Sequence, residues 1–248
     1  MTLDRIIHET KDRPNNGLSD NNRRLLTTAF NGDFSAEYAS YIDLEKNANI
    51  KNGKIEIIDG TSLGNKQLIY LLKGSATFRI TDFSIFEDPN VYMLSEGDRI
   101  IVPERALYEL HAEPGSKIFT FNEKLSNYSP YNWDNILPEG FNAKQAKFAF
   151  LKDDFPLGGH YHKYNEFFFL INGEGNFYFK DTKTPDALQE LHLLAPESKL
   201  FVPAFVGHKA FLKKDSLLVG FTEEPYISPE HNDHKIEGDS FYNLPTGK

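Results

Sequence analysis

Gly158-Gly159-His160-Tyr161-His162-Lys163-Tyr164-Asn165-Glu166-Phe167-Phe168-Phe169-Leu170-Ile171-Asn172-Gly173 is the stretch that decides this chain. It sets two histidines and a glutamate within seven residues, and Pro203-Ala204-Phe205-Val206-Gly207-His208 adds a third imidazole downstream. Successive side chains of a strand point to opposite faces, so His160 and His162 share a face and their ring nitrogens can converge. Lys163, Tyr164 and Asn165 let the chain bend before Glu166. Phe167 to Ile171 is a strongly strand-forming run, closed by the turn signal Asn172-Gly173-Glu174-Gly175. Imidazole nitrogen suits Zn, Mn, Fe and Ni, and a single carboxylate adds negative charge. The expectation is one divalent metal ion (Zn, Mn, Fe or Ni) held by His160, His162, Glu166 and His208. Three imidazoles and a carboxylate leave room for water or substrate in an octahedral shell; they also fit a closed tetrahedral zinc site, a poor one for catalysis. Solitary histidines in strands are usually half-buried polar residues. His8, His111, His192, His231 and His234 are read that way.

Internal repetition comes next. Leu170–Phe179 (L-I-N-G-E-G-N-F-Y-F) has a counterpart in Leu71–Ile80 (L-L-K-G-S-A-T-F-R-I). Aligning Gly173 with Gly74 sets Glu166 on Gln67, His162 on Leu63 and His160 on Thr61. Glu96–Pro103 (E-G-D-R-I-I-V-P) parallels the segment ending at Pro203, and Tyr108 stands where His208 would. The four ligand positions of this first copy hold non-ligands or poor ligands.

The histidine-rich stretch resembles the first motif of the cupin superfamily, G-x5-H-x-H-x3,4-E-x6-G, through His160, His162, Glu166 and Gly173. The downstream segment resembles the second motif, G-x5-P-x-G-x2-H-x3-N, through Pro203 and His208. Asp154, Glu197, Phe205 and Leu212 depart from the family's Gly, Gly, Gly and Asn. The resemblance implies an all-β fold of two tandem cupin barrels (double-stranded β-helix, or jelly-roll), the first degenerate and without metal. The expected organisation is an N-terminal extension (1–40), a degenerate barrel (41–123), a connector (124–141), a metal-binding barrel (142–222) and a C-terminal tail (223–248). Within the extension, Ser19-Asp20-Asn21-Asn22 is expected to cap a short helix through Thr28, with strands beginning near Ala36. The connector holds Trp133, the single tryptophan.

Composition bounds what such a chain does. A hydrophobic fraction of 40% with 21 Phe is ample for packed β cores. With no Cys there is no disulfide framework, thiolate nucleophile or Cys-type zinc site, which favours a reducing compartment. No apolar run approaches the ~18–20 residues of a membrane span. The expectation is a cytoplasmic protein without membrane association. A net charge of −9 argues against nucleic acid, which calls for a basic stripe. Arg23-Arg24 and Lys213-Lys214 are read as solvated faces.

The expected partner is a small-molecule substrate, and the chain is expected to be a monomer or homodimer. A divalent ion polarises a carbonyl, stabilises an enediolate or orients a hydroxyl. The leading reading is therefore a metal-dependent enzyme of isomerase, epimerase or lyase type, acting on a small polar, carbohydrate-like or hydroxy-keto acid substrate. Two alternatives stand beside it: an Fe- or Ni-dependent dioxygenase, and a non-catalytic sugar- or small-molecule-binding protein. Glu166 is committed to the metal, so any proton transfer needs another group. Tyr178 is a candidate if it faces the cavity; the polarity of Asn176 and Lys180 suggests that it does not.

Overall fold

The computed structural model describes residues 7–9, 24–45, 55–61, 65–82, 89–104, 106–124, 134–183 and 189–236. Trp133, Leu63 and the Ser19–Asn22 cap lie outside the described residues. In chain order the strands are β1 (Ile7–Glu9), β2 (Arg24–Ala36), β3 (Tyr38–Asp43), β4 (Ile55–Thr61), β5 (Gln67–Lys73), β6 (Ser75–Asp82), β7 (Asn90–Ser95), β8 (Arg99–Val102), β9 (Ala106–Ala112) and β10 (Lys117–Asn122). They continue as β11 (Ala143–Leu151), β12 (Phe155–Tyr161), β13 (Glu166–Asn172), β14 (Gly175–Asp181), β15 (Glu190–Leu194), β16 (Lys199–Val202), β17 (Val206–Leu212), β18 (Leu217–Thr222) and β19 (His234–Lys235), with one helical turn, α1 (Pro229–Asn232), before β19. None of the described helices is long and apolar enough to cross a membrane.

The chain folds as two compact units. The first holds residues 1–14 and 34–142, the second residues 15–33 and 143–248. In the first, a sheet ordered β1-β8-β5-β10-β3 faces one ordered β4-β9-β6-β7. In the second, β16-β13-β18-β11-β2 faces β15-β14-β17-β12-β19. Each unit is thus a jelly-roll of two antiparallel sheets, as the repeat implies.

The repeat is repeated physically. Gly74 and Gly173 both adopt a left-handed backbone (φ 94° and 93°), and a Cβ on either would collide with the side chain of the equivalent serine, Ser116 or Ser216. The turn before β8 is closed by Gly97 N–H donating to the Leu71 carbonyl at 2.8 Å; Glu197 does the same to Leu170 at 2.7 Å before β16. Glu197 (φ 70°) and Phe205 (φ 66°) occupy left-handed positions where the motif has glycine. The turn geometry is kept even where the residue that adopts it most readily is not.

Two expectations need correction. Residues 24–36 are a strand, not the end of a helix. Thr27, Thr28 and Phe30 favour extended backbone, and tertiary pairing of β2 at the edge of the second unit's sheet overrides the capping signal. The first forty residues are therefore not an extension, because they supply strands to both units. The described end of the connector packs as expected, here on the first unit: Ile136 and Leu137 are buried, and Ile136 N–H donates to the Ala39 carbonyl at 2.8 Å.

Candidate metal centre

The second unit encloses a cavity of about 330 Å³. Its floor follows from register. Glu166 on β13 lies beside Thr222 on β18, which lies beside Gln145 on β11; Phe168, Gly220 and Lys147 form the next row. Side chains alternate along strands, so these rows share the cavity face. On the opposing sheet His160 pairs with His208, and Leu157 with Ala210.

The two glycines ahead of His160 have a specific task. Gly158 (φ 79°) and Gly159 (φ 99°) form a bulge in the β12–β17 ladder, and a Cβ on Gly158 would stand 2.9 Å from the His208 carbonyl oxygen. Only a residue without a side chain allows that approach, and a bulge re-aims the residue that follows it.

All four expected residues meet. One ligand nitrogen from each of His160, His162 and His208 lies within 4.8 Å of the others. Glu166 Oε2 is 3.2 Å from His208 Nε2 and 3.3 Å from His162 Nε2. His162, His208 and Glu166 are buried. Glu166 Oε2 has no solvent contact and no aligned hydrogen bond, despite its two imidazole neighbours. A buried carboxylate oxygen left in this condition is costly unless something cationic completes it. Two imidazoles beside it, with His160 grouped next to them, are the donor set of a divalent ion, so the residues present fit one.

The electrostatics agree. Burial pushes the His160 pKa down to about 3, helped by the neighbouring His208 and His162, so this ring presents lone pairs rather than a charge. Burial alone would raise Glu166, but His208 and His162 outweigh it and hold the carboxyl well below its usual range. Burial works against protonation of His162, yet Glu166 and the Asn232 carbonyl more than offset it and raise its pKa. His162 Nδ1 lies 2.8 Å from that carbonyl; donating its proton there leaves Nε2 as the lone pair turned toward Glu166.

Sequence reasoning missed the groups around this centre. Of the C-terminal tail, residues 223–236 are described and form a clasp beside the cluster. Buried Asn232 accepts from Ile227 N–H (2.7 Å) and Ser228 N–H (3.2 Å) and donates to Tyr164 Oη (3.1 Å) and the Pro225 carbonyl (3.2 Å). Tyr164 in turn stacks on His162, with centroids 4.8 Å apart. Asp233 stands 3.9 Å from a ring nitrogen of both His160 and His162. Arg24 and Lys147 also face the cavity, so Arg24 is not on a solvated face as expected. No local spacing signals these residues; they arrive from strands and loops remote in sequence. His234 sits against Tyr161 rather than in the cluster (centroids 5.1 Å). Tyr178 does not line the cavity; its ring meets Phe211 edge-on at 5.9 Å.

The first unit differs at every equivalent position that is described. Tyr108 is buried and stacks on Phe78 (5.3 Å), within a core that includes Ile69, Ile80, Ile100 and Val102. Gln67 replaces Glu166. Register corrects the alignment at one point: Gly60, not Thr61, lies opposite Tyr108 as His160 lies opposite His208. One extra residue between β4 and β5 accounts for the slip, and Gly60 has no side chain to offer a metal.

No established family model matches the sequence, and no curated protein does. Similar solved structures include the oxalate decarboxylase of Bacillus subtilis, described with Mn(II) centres (10% identity over 85% of this chain and 79% of that one, TM-score 0.48). They also include a Cupin 2 conserved barrel domain protein from Leptotrichia buccalis (15%, covering 83% and 91%, TM-score 0.40). A third is the capsular polysaccharide assembling protein CapF from Staphylococcus aureus (17%, TM-score 0.34), where the likeness covers 38% of this chain and only 26% of CapF. The chain itself shows two double-stranded β-helices, each of paired antiparallel sheets, with the His160 motif in the second.

Proposed function

We propose that the second barrel holds one divalent ion on His160, His162, Glu166 and His208 and is a metal-dependent enzyme of isomerase, epimerase or lyase type. The observation that carries this is the cluster of three imidazoles, two of them beside the buried, unsatisfied Glu166 Oε2, in the cavity of the second unit. The substrate is a small polar molecule, carbohydrate-like or a hydroxy-keto acid, whose adjacent oxygens suit the ion's remaining positions. A bound ion supplies Lewis-acid polarisation of a carbonyl or hydroxyl. The chain's own residues do the rest. Asn232 and Tyr164 fix the His162 ring. Phe168, Phe177 and Leu218 line part of the cavity with apolar surface and limit water. Glu166 would be committed to the ion, so a proton moved during reaction passes to another cavity group.

The test begins with protein purified without chelator or added metal, analysed for Zn, Mn, Fe and Ni. The protein is then offered keto-sugars and hydroxy-keto acids under air and under nitrogen. Turnover that is equal in both supports the reading. Turnover that needs O2 replaces it with a dioxygenase, and binding without turnover replaces it with a sugar- or small-molecule-binding protein.

A further inference from the structure

The cavity that contains the candidate metal centre also contains two side-chain cations without carboxylate partners among the described residues. Arg24 reaches in from β2, its guanidinium 5.2 Å from the centre of the Phe155 ring, and its Nε is buried with no hydrogen-bond acceptor. Lys147 reaches in from β11, with Nζ 4.9 Å from the centre of the Tyr226 ring. Aromatic faces hold both cations in place without neutralising them. Among the described residues neither forms an ion pair of the kind made by Lys144 with Glu224 or Lys213 with Asp154.

Charge balance gives this arrangement a meaning. The carboxylates lining the cavity are Glu166 and Asp233. Their two negative charges match those of Arg24 and Lys147, which leaves the two charges of a bound divalent ion uncompensated. Uncompensated charge in a partly dry cavity is expensive. A ligand with two negative charges restores neutrality.

Spacing says how such a ligand would lie. Lys147 on β11 and Phe168 on β13 are separated by β18, roughly 10 Å of sheet at the usual strand spacing. The residue between them in register is Gly220, which places no side chain over that span. A Cβ there would come 3.1 Å from Phe168 and 3.7 Å from Glu166. The Phe168 ring therefore lies against Gly220 and forms the surface between the Glu166 end and the Lys147 end.

We propose that the substrate is a short-chain dianion, one acidic end directed to the metal centre and the other held by Arg24 and Lys147. This rests on the metal-dependent reading and narrows its substrate class from polar to doubly acidic. Arg24 and Lys147 are specificity-determining residues for the remote acid, and Arg is suited to bidentate capture of a carboxylate.

The experiment titrates the full chain by calorimetry with succinate, butyrate and succinamide, which share a length and differ in charge. Malonate and glutarate test the span. Wild type, R24Q, K147Q and the charge-conserving R24K and K147R are each measured loaded with manganese(II) and after chelator treatment. On loaded wild type, succinate should bind about tenfold or more tighter than butyrate or succinamide. R24Q and K147Q should each reduce that preference to within about threefold while retaining metal content. R24K and K147R should keep most of it, which separates lost charge from damaged fold. Charge-blind binding by wild type overturns the proposal, as does a succinate preference untouched in both R24Q and K147Q, or failure of every probe to bind. The metal reading fails differently, through absence of manganese uptake. In that event the chelator-treated series still reads Arg24 and Lys147, as a preference for butyrate over a neutral amide that R24Q and K147Q remove.

Discussion

The two barrels share a plan and differ in what fills them. In the first, Tyr108 lies on Phe78 and the interior closes with Ile69, Ile80, Ile100 and Val102. In the second, the strand position of Tyr108 carries His208, that of Gln67 carries Glu166, and the space between the sheets remains open. The conserved parts of the plan are backbone features: the glycine-on-serine contact after β5 and after β13, the left-handed turns before β8 and before β16, and the register of the ladders. The lesson is that the jelly-roll's turns and its interior are set independently. Apolar burial stabilises the first barrel, whereas the second sets titratable groups around an open cavity.

Removing a ligand should show the largest effect. H162A and H208A should each take metal content and turnover to background by elemental analysis and assay. Y108H, in the first barrel, should create no new metal uptake, because Gly60 and Gln67 supply no companion ligands. Metal uptake by Y108H would break the comparison.

Next come the cores. Phe78 is fully buried in the first barrel, so F78A should cost about 3–5 kcal/mol in denaturant unfolding. If the two interiors serve separate ends, metal content of the folded fraction should be unchanged.

The clasp residues should give intermediate effects. Asn232 acts as a positioning residue, since its side chain ties the segment whose backbone carbonyl receives His162 Nδ1. N232A should weaken metal affinity by about 10- to 100-fold without abolishing binding, read by competition with a chelator. An unchanged affinity would show that the tautomer of His162 is held by other means.

Acid should sharpen the same point. His162 has a raised pKa in the metal-free protein, while an ion needs the neutral ring. Below that pKa the proton occupies the ligand nitrogen, so affinity should fall as pH drops through it, by about tenfold per unit. His160, held neutral down to about pH 3 by burial, does not add to the loss until far lower. A pH-independent affinity between pH 5 and 8, the range where imidazoles titrate, would contradict this assignment.

The clustering of His160, His162 and Glu166 was legible in the sequence because H-x-H-x3-E is a local pattern that strand geometry brings together. His208 was legible as the imidazole five residues after Pro203, the spacing of the second motif that the segment resembles. Arg24, Lys147 and Asp233 were not, because each reaches the cavity from a strand or loop whose position only the assembled sheets define. Arg24 is the clearest case: beside Arg23 it reads as a solvated pair, and only the pairing of β2 at the sheet edge turns it inward. The alignment of His160 with Thr61 failed for a similar reason. A one-residue difference in loop length is invisible to composition, yet it moves a side chain to the opposite face of the sheet.

The smallest expected effect concerns the turns. Glu197 holds a left-handed backbone where the first barrel has Gly97. E197G should be neutral to stabilising, by up to about 1 kcal/mol in thermal unfolding, as relief of the left-handed strain offsets the entropy cost of glycine.

The central claim is that one barrel holds metal and the other does not. Elemental analysis of the chain, paired with the H160A/H208A double variant, tests it most directly. The account predicts close to one divalent ion per wild-type chain and none in the double variant. Two ions per chain, or full metal content in the double variant, would contradict it.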